Sequence, residues 1–238
     1  MFASFRLLAV YVLLGLPAGL IGIPWSALRK DFRMMYGWGM WIVALGVKAA
    51  GIRVRLEGRE NVQPGVQYIF LSNHVSNLDA PVLLPLIPGM TSVFIKRELM
   101  KIPLLGTAMR MGKYIPVSRG NSREEAQRSV EVARDVLKSG LHITAFPEGT
   151  RSPDGRLLPF KKGAFFLSEA AKASIIPVVI TGTERMMPKK TLRITPGEAH
   201  VTFLPPVRPQ DATSREDLME RVRAAMEAEL DRRKLKRE

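Results

Sequence analysis

Hydrophobic and polar positions divide the chain into two unlike parts. The first fifty residues hold two uncharged stretches, 7–28 and 34–47, whereas short apolar runs and amphipathic segments alternate beyond them. A helix needs about 20 apolar residues to cross a bilayer, and the first stretch is long enough. Pro17 and Pro24 lie inside it, and each removes a backbone hydrogen-bond donor. We therefore predict a bent or re-entrant helix rather than a straight span.

The second stretch is too short to cross a bilayer, but its aromatic residues suit the membrane–water interface. Tyr36, Trp38 and Trp41 combine an apolar ring with a polar edge. Residues 1–48 are thus predicted to form a membrane-docking pair of apolar helices. Two alternatives stay open here: a cleaved signal peptide with Arg6 as its basic start, and a hairpin buried in the core.

From residue 49 to residue 230 the pattern is that of an α/β domain. Apolar runs predict strands at 52–56, 68–71, 142–146, 175–181 and 201–204, and helical spacing predicts helices at 164–173, from Ser122 to Gly140 and from Ser214 onwards. Ser122 and Glu125 form a capping box at the start of their helix. The alternation indicates a single domain with a mostly parallel sheet and helical crossovers. Residues 231–238, which are mostly basic, are expected to form a frayed helical tail.

Charge and composition narrow the class of function. The 238 residues include 36 Lys and Arg against 22 Asp and Glu, and the formal charge of +14 favours nucleic acid or an anionic membrane as a partner. The chain has no cysteine, which excludes a disulfide framework, a thiolate zinc site, an iron–sulfur cluster and a cysteine nucleophile. The apolar N-terminal segment favours the membrane, and no nucleic-acid partner is expected.

One candidate catalytic pair follows the predicted strand 68–71. His74 and Asp79 are five residues apart, so they meet only if the chain turns between them, and Ser76 or Asn77 is suited to that turn. A carboxylate that holds one ring nitrogen leaves the other as a general base for an alcohol proton. The alternative is a loop histidine beside a capping aspartate, and the spacing alone favours that alternative.

Two further segments carry candidate binding groups. Residues 146–152 follow the predicted strand 142–146 and contain Glu148, Gly149 and Arg151, whose guanidinium fork matches phosphate oxygens. A turn with a Glu–Arg ion pair is the simpler interpretation of this segment. The region from Lys96 to Arg119 is strongly basic and suits an anionic substrate, although such clusters are commonly solvated surfaces.

Together these segments resemble the glycerolipid acyltransferase family, whose four sequence blocks occur here in order. Asn73-His74 with Asp79 matches the first block, and Phe146-Pro147-Glu148-Gly149-Thr150-Arg151-Ser152 matches the third. The second block is matched by Lys96, Pro103, Gly106, Gly112 and the stretch Ile115–Arg119, and the fourth by Ile176-Pro177-Val178. Ser118 departs from the second block, where many members carry Asp. The first and third blocks in this order form a specific signature.

The resemblance implies an α/β fold, a membrane-docking N-terminal helix pair, an acyl-thioester donor and neither metal nor cofactor. It assigns His74 and Asp79 to catalysis, and it assigns binding of the acceptor phosphate to Glu148, Gly149, Arg151 and Arg119. We add Lys96 as a further phosphate-binding candidate. The expected reaction moves an acyl group from acyl-CoA or acyl carrier protein to the sn-2 hydroxyl of 1-acylglycerol 3-phosphate (lysophosphatidate), with direct attack by the lipid hydroxyl.

Three other functions, as a hydrolase, a lipid-binding protein or an acyltransferase with another acceptor, fit parts of the sequence. A hydrolase would use His74 and Asp79 in a triad, but the chain has no Gly-x-Ser-x-Gly elbow. A non-catalytic basic lipid-binding protein explains the charge but gives residues 146–152 no task. Among enzymes, acylation of another lysolipid or of glycerol 3-phosphate is the alternative. The expected partners are the bilayer, a lysophospholipid and the thioester donor, at the cytoplasmic face of a bacterial inner membrane.

Overall fold

The computed structural model describes residues 2–117 and 123–235, and for residues 123–127 the backbone alone. Its strands are β1 (Ile52–Glu57), β2 (Ile69–Ser72), β3 (Thr91–Lys96), β4 (Ile115–Val117), β5 (His142–Ala145), β6 (Ile175–Thr181) and β7 (Gly197–Phe203). Its α-helices are α1 (Phe2–Arg29), α2 (Arg33–Ala49), α3 (Asp79–Leu83), α4 (Leu105–Met111), α5 (Arg123–Lys138), α6 (Gly163–Ala171), α7 (Thr183–Met186) and α8 (Arg215–Leu235). Short 3₁₀ turns cover Arg59–Asn61, Leu84–Leu86, Arg97–Lys101 and Pro209–Asp211.

The seven strands form one sheet in the order β1-β7-β6-β2-β5-β3-β4. Every neighbouring pair is parallel except β6 and β7, which are antiparallel. The carboxyl ends of β2, β5, β3 and β6 therefore share one edge of the sheet, where ligands bind in open α/β folds. The predicted fold class, a single α/β domain with a mostly parallel sheet, is confirmed.

Two hydrophobic clusters cover the two faces of the sheet. On β2, Phe70 points into the cluster beneath α2 and α3, while Ile69 and Leu71 point into the cluster beneath α5, α6 and α8. Strand β6 is buried along its whole length and alternates in the same way. Burial on both faces is what a central parallel strand requires, and it explains the continuous apolar runs in the sequence.

The predicted strands match the observed ones at the centre of the sheet and differ at its edges. Residues 175–181 form β6 as predicted, whereas the strand predicted at 201–204 begins at Gly197. Strands β3 and β4 were not predicted, because β3 mixes polar and apolar residues and β4 has only three residues, one of them Pro116. The predicted capping box of Ser122 and Glu125 lies outside the residues and side chains that the structure describes.

The first apolar stretch lies in a helix that neither of its two prolines ends. A single helix, α1, runs through both Pro17 and Pro24 for 28 residues, which is about 42 Å at 1.5 Å per residue. By length and composition α1 is able to cross a membrane, and 11% of its most apolar window is buried. An apolar helix with so little burial needs a partner other than this chain's own core.

Helix α2 belongs to the packed core as well as to the apolar N-terminal segment. The Tyr36 hydroxyl accepts a hydrogen bond from the Thr91 N–H at 3.1 Å, and Val47 and Ala50 lie in the cluster around Phe70. The predicted boundary at residue 48, between the N-terminal helix pair and the α/β domain, therefore lies where α2 packs against the core.

The C-terminal helix continues into the tail predicted at residues 231–238. Helix α8 runs past Asp231 to Leu235, because the Arg233 guanidinium is buried and donates to Glu229 at 2.8 Å and to Thr202 at 2.8 Å. A buried charge without a partner would be costly, and this network supplies the partners. It ties the end of α8 to β7.

Candidate active site

His74 and Asp79 meet at the carboxyl end of β2, as the sequence analysis requires. The chain turns at Ser76, whose hydroxyl accepts from the Leu78 N–H at 3.2 Å, and Asp79 begins α3. This turn brings His74 Nδ1 to 2.8 Å from Asp79 Oδ2. The imidazole is 21% exposed and the carboxylate is fully buried. The ring nitrogen that faces away from Asp79 is thus the one available to a substrate.

The Asp79 carboxylate is fully satisfied by hydrogen-bond donors. Besides the imidazole, Oδ2 accepts from the N–H groups of Val75 at 2.7 Å and Ser76 at 2.8 Å. The other oxygen, Oδ1, accepts from the Thr183 hydroxyl at 2.6 Å. These donors fix the orientation of the carboxylate against the His74 ring.

The backbone of His74 is held from both sides by the third sequence block. Its N–H donates to Glu148 Oε1 at 2.7 Å, and its carbonyl accepts from the Ser152 N–H at 2.7 Å. The Phe146 ring stacks on the imidazole with 4.2 Å between ring centroids. These contacts fix both the position and the plane of the ring.

Glu148 is placed differently from the ion pair with Arg151 considered from the sequence. Its two oxygens accept from backbone N–H groups, those of His74 and of Leu158 at 2.9 Å. Burial raises the pKa of this carboxyl, while the two N–H groups oppose the rise. Glu148 thus joins two loops at the site instead of orienting the guanidinium.

The neighbouring residues of the third block place Arg151 beside the dyad. Gly149 has φ +67°, and a Cβ there would lie 2.7 Å from Lys161 Cε, so the turn favours glycine. Arg151 is half-buried, and its guanidinium has no hydrogen bond or ion pair with the residues that the structure describes. Its carbonyl accepts from Lys189 Nζ at 2.8 Å. The guanidinium is therefore available to an anion.

Of the second-block candidates for phosphate binding, the structure describes Lys96. Lys96 is the last residue of β3, two strands from β2, and it pairs with Glu98 at 3.5 Å. Arg119 falls outside the described residues. Across those residues, no three His, Asp or Glu side chains cluster closely enough to hold a metal ion.

Several groups that shape the site escape sequence reasoning. Thr183 contacts Asp79 across 104 residues of chain, and the Leu158 N–H reaches Glu148. The Asn73 side chain accepts from the Ile180 N–H at 2.7 Å and donates to its carbonyl at 2.9 Å, which joins the His74 loop to β6. Ordinary threonine, leucine and asparagine residues carry no local signal of such roles.

The fold and the site together indicate the class of reaction that this protein can carry out. An α/β sheet presents a His–Asp pair at its carboxyl edge, with a free guanidinium on the next loop, and that arrangement suits proton transfer from a hydroxyl of an anionic substrate.

Comparison with known proteins identifies the family. Residues 53–181 match the family model described as Acyltransferase. The 1-acyl-sn-glycerol-3-phosphate acyltransferase of Limnanthes douglasii is 34% identical over 215 residues, which cover 89% of this chain and 75% of that protein. The 1-acyl-sn-glycerol-3-phosphate acyltransferase alpha of Homo sapiens is 35% identical over 74% of this chain and 63% of its own length.

A solved structure agrees with these sequence matches. The crystal structure of the 1-acyl-sn-glycerophosphate (LPA) acyltransferase PlsC from Thermotoga maritima superposes with a TM-score of 0.79 at 27% identity, over 97% of this chain and 95% of that one. This chain belongs to the acyltransferase family and is an acyltransferase.

Proposed function

We propose that this chain transfers a fatty acyl group from acyl-CoA or acyl carrier protein to the sn-2 hydroxyl of lysophosphatidate and so forms phosphatidic acid. The observation that carries the proposal is the His74–Asp79 pair, at 2.8 Å, on the loop that residues 148–152 hold in place beside the free Arg151 guanidinium. The names of the relatives describe the same acceptor.

The proton movements follow from the dyad. Asp79 accepts from His74 Nδ1, so Nε2 is the unprotonated nitrogen that removes the proton of the sn-2 hydroxyl. The hydroxyl oxygen attacks the thioester carbonyl and forms a C–O bond. As the intermediate collapses, the C–S bond breaks and the thiolate takes the proton back from the His74 imidazolium. Asp79 stabilises that imidazolium throughout the step.

The remaining residues bind or position. Arg151 binds the acceptor phosphate, and Lys96, at the end of β3, supplies further positive charge. Arg119 remains a phosphate-binding candidate from the family resemblance. Glu148 and Gly149 shape the loop that carries Arg151, and Glu148 holds the His74 backbone. No acyl-enzyme is required, because the lipid hydroxyl is the nucleophile.

Membrane association brings the enzyme to its acceptor. The apolar surface of α1 enters the bilayer, and the net charge of +14 adds attraction to anionic lipid. Because thioester donors are cytosolic, we place the enzyme at the cytoplasmic face of a bacterial inner membrane.

An acceptor and donor panel tests the proposal. Purified full-length protein is incubated with labelled acyl-CoA or acyl carrier protein and with lysophosphatidate, lysophosphatidylethanolamine or glycerol 3-phosphate, and kcat/KM is measured for each pair. We expect the highest kcat/KM for lysophosphatidate. A higher value for either other acceptor would replace the proposed substrate.

A further inference from the structure

Lys189 is a cation next to the site that none of the four sequence blocks contains. It lies in the loop between α7 and β7, and its ammonium donates to the Arg151 carbonyl oxygen at 2.8 Å. Added to the lengths of the C=O and Cα–C bonds, this distance places the ammonium within about 5.5 Å of the Arg151 Cα. Two positively charged residues from distant parts of the chain therefore adjoin one another.

The loop that carries Lys189 is fixed to the catalytic loop. The Met187 carbonyl accepts from the Ser76 hydroxyl at 2.8 Å, two residues before Lys189 along the chain. Ser76 also donates its N–H to Asp79, and Thr183, at the start of α7, donates to the same carboxylate. The position of Lys189 is thus coupled to that of the His74–Asp79 pair.

Helix α1 holds the other end of this loop. The Ser4 hydroxyl donates to the Leu192 carbonyl at 3.0 Å and accepts from the Ile194 N–H at 2.8 Å. The loop is therefore attached on both sides of Lys189, and the apolar helix α1 begins close to it. A substrate that enters from a membrane around α1 would meet Lys189 and Arg151 together.

The charge at this place is uncompensated. Among the residues that the structure describes, no carboxylate pairs with Lys189 or with the Arg151 guanidinium. An ammonium has three N–H donors, and the Arg151 carbonyl uses one of them. Two adjacent cations with unused donors repel each other unless an anion lies between them.

We propose that Lys189 binds the phosphate of the lysophosphatidate acceptor together with Arg151, and that it contributes to selection of phosphate-bearing acceptors. This inference rests on the proposed function. The carbonyl contact holds the ammonium beside the backbone of Arg151, and the two remaining N–H groups are donated to phosphate oxygens. Arg151 supplies a planar fork and Lys189 a point charge.

The test compares Lys189→Gln, Lys189→Arg and the matched control Lys190→Gln in the full-length protein. Glutamine keeps an N–H donor for the Arg151 carbonyl but has no charge, and Lys190 is the exposed neighbour in the same loop. Steady-state constants are measured for 1-oleoyl-lysophosphatidate, for the phosphate-free acceptor 1-oleoylglycerol and for acyl-CoA.

The expected result is a change confined to the phosphate-bearing acceptor. We expect Lys189→Gln to raise the KM for 1-oleoyl-lysophosphatidate roughly tenfold, the loss of one charged hydrogen bond. In the same variant the KM for acyl-CoA and the rate with 1-oleoylglycerol stay within about twofold of the wild type. Lys189→Arg restores the KM for 1-oleoyl-lysophosphatidate, and Lys190→Gln leaves all constants unchanged.

Three results would overturn the inference. An unchanged KM for lysophosphatidate in Lys189→Gln would limit Lys189 to its backbone contact. A larger effect on the KM for acyl-CoA would assign Lys189 to the donor phosphates. Wild-type protein that does not acylate lysophosphatidate would refute the proposed function itself, a failure visible without any variant.

Discussion

At the scale of single residues, the substitution Asp79→Asn distinguishes a structural role of Asp79 from a catalytic one. Oδ2 accepts from three donors, the His74 ring and the N–H groups of Val75 and Ser76, whereas Oδ1 accepts from one group of the described residues, the Thr183 hydroxyl. In Asp79→Asn the amide oxygen can take the place of Oδ2, and the amide NH₂ can take the place of Oδ1. The NH₂ then donates to the Thr183 hydroxyl, which reorients to accept. The hydrogen bonds survive in number, and only the negative charge is lost.

Asp79→Asn should therefore fold normally and catalyse poorly. We expect kcat for acyl transfer to fall by about 10²–10⁴-fold, because the imidazolium formed during the reaction loses its counter-charge. Thermal unfolding should change little. Asp231→Asn, at an exposed aspartate on α8, is the control and should keep wild-type kcat. Wild-type turnover in Asp79→Asn would reduce Asp79 to a helix-capping residue.

Glu148 is predicted to position His74 rather than to bind substrate. In Glu148→Gln one of the two backbone N–H groups, of His74 or of Leu158, loses its acceptor. An unpaired buried donor costs about 1–3 kcal/mol, so both the free energy of unfolding and kcat should fall while the KM for lysophosphatidate stays unchanged. Denaturant unfolding and steady-state kinetics measure the three quantities. A raised KM with normal stability would instead indicate contact with the acceptor.

Among single residues, part of the site can be predicted from the sequence and part cannot. His74, Asp79 and Arg151 are reactive or charged residues in a compact pattern, and the sequence predicts that the first two meet. The partners of Asp79 and Glu148 are a threonine hydroxyl and a leucine N–H, groups that occur throughout any chain. Lys189 was missed because its proximity to Arg151 comes from the fold and not from spacing.

At the scale of elements, β2 and β5 are joined by a buried histidine. His142 Nδ1 accepts from the Tyr68 N–H at 3.0 Å, and the ring packs against Phe70. Burial lowers the pKa of His142 below its ordinary value, and the Pro88 carbonyl opposes that shift. The neutral ring is therefore part of the folded state.

This lowered pKa predicts a pH-dependent stability. The unfolded state binds the proton more readily, so the contribution of neutral His142 is complete above the unfolded pKa near 6.5 and is lost as the pH falls towards the folded value. Urea unfolding at pH 7.5 and pH 5.5 should show a larger loss of stability in the wild type than in His142→Gln, whose side chain does not titrate. Equal losses in the two proteins would contradict the assignment.

Elements were predictable where burial or amphipathic spacing is strong and missed where it is weak. The fully buried β6 is a continuous apolar run, and α5 and α8 carry apolar residues at helical spacing. Strand β4 has three residues, and helices α3 and α7 have five and four, too few for a period to appear. The two prolines of α1 each remove a backbone hydrogen-bond donor, and neither ends the helix.

At the scale of the whole molecule, we predict two separable contributions to membrane binding. Leu13 and Leu20 on α1 are 70% and 62% exposed, and the charge of +14 adds a term that salt screens. The double variant Leu13→Glu/Leu20→Glu should bind anionic vesicles at least about tenfold more weakly at high salt, where apolar insertion dominates. Vesicle co-sedimentation at low and high salt measures both contributions.

A matched double variant controls for the two added charges. Val132→Glu/Leu235→Glu introduces acidic residues at exposed positions of α5 and α8, where the side chains are 48% and 74% exposed, and it should leave vesicle binding at high salt unchanged. If the α1 double variant binds as well as this control does, the apolar surface of α1 is not the membrane contact.

The most direct test of the central claim is the transfer of a labelled acyl group from acyl-CoA to lysophosphatidate by wild-type protein and by His74→Ala. We predict that the wild type gives phosphatidic acid with the label at sn-2, and that His74→Ala, with an unchanged unfolding curve, loses at least about 10²-fold in kcat because no general base remains. Absence of labelled product from the wild type, or more than a tenth of wild-type turnover in folded His74→Ala, would contradict the account.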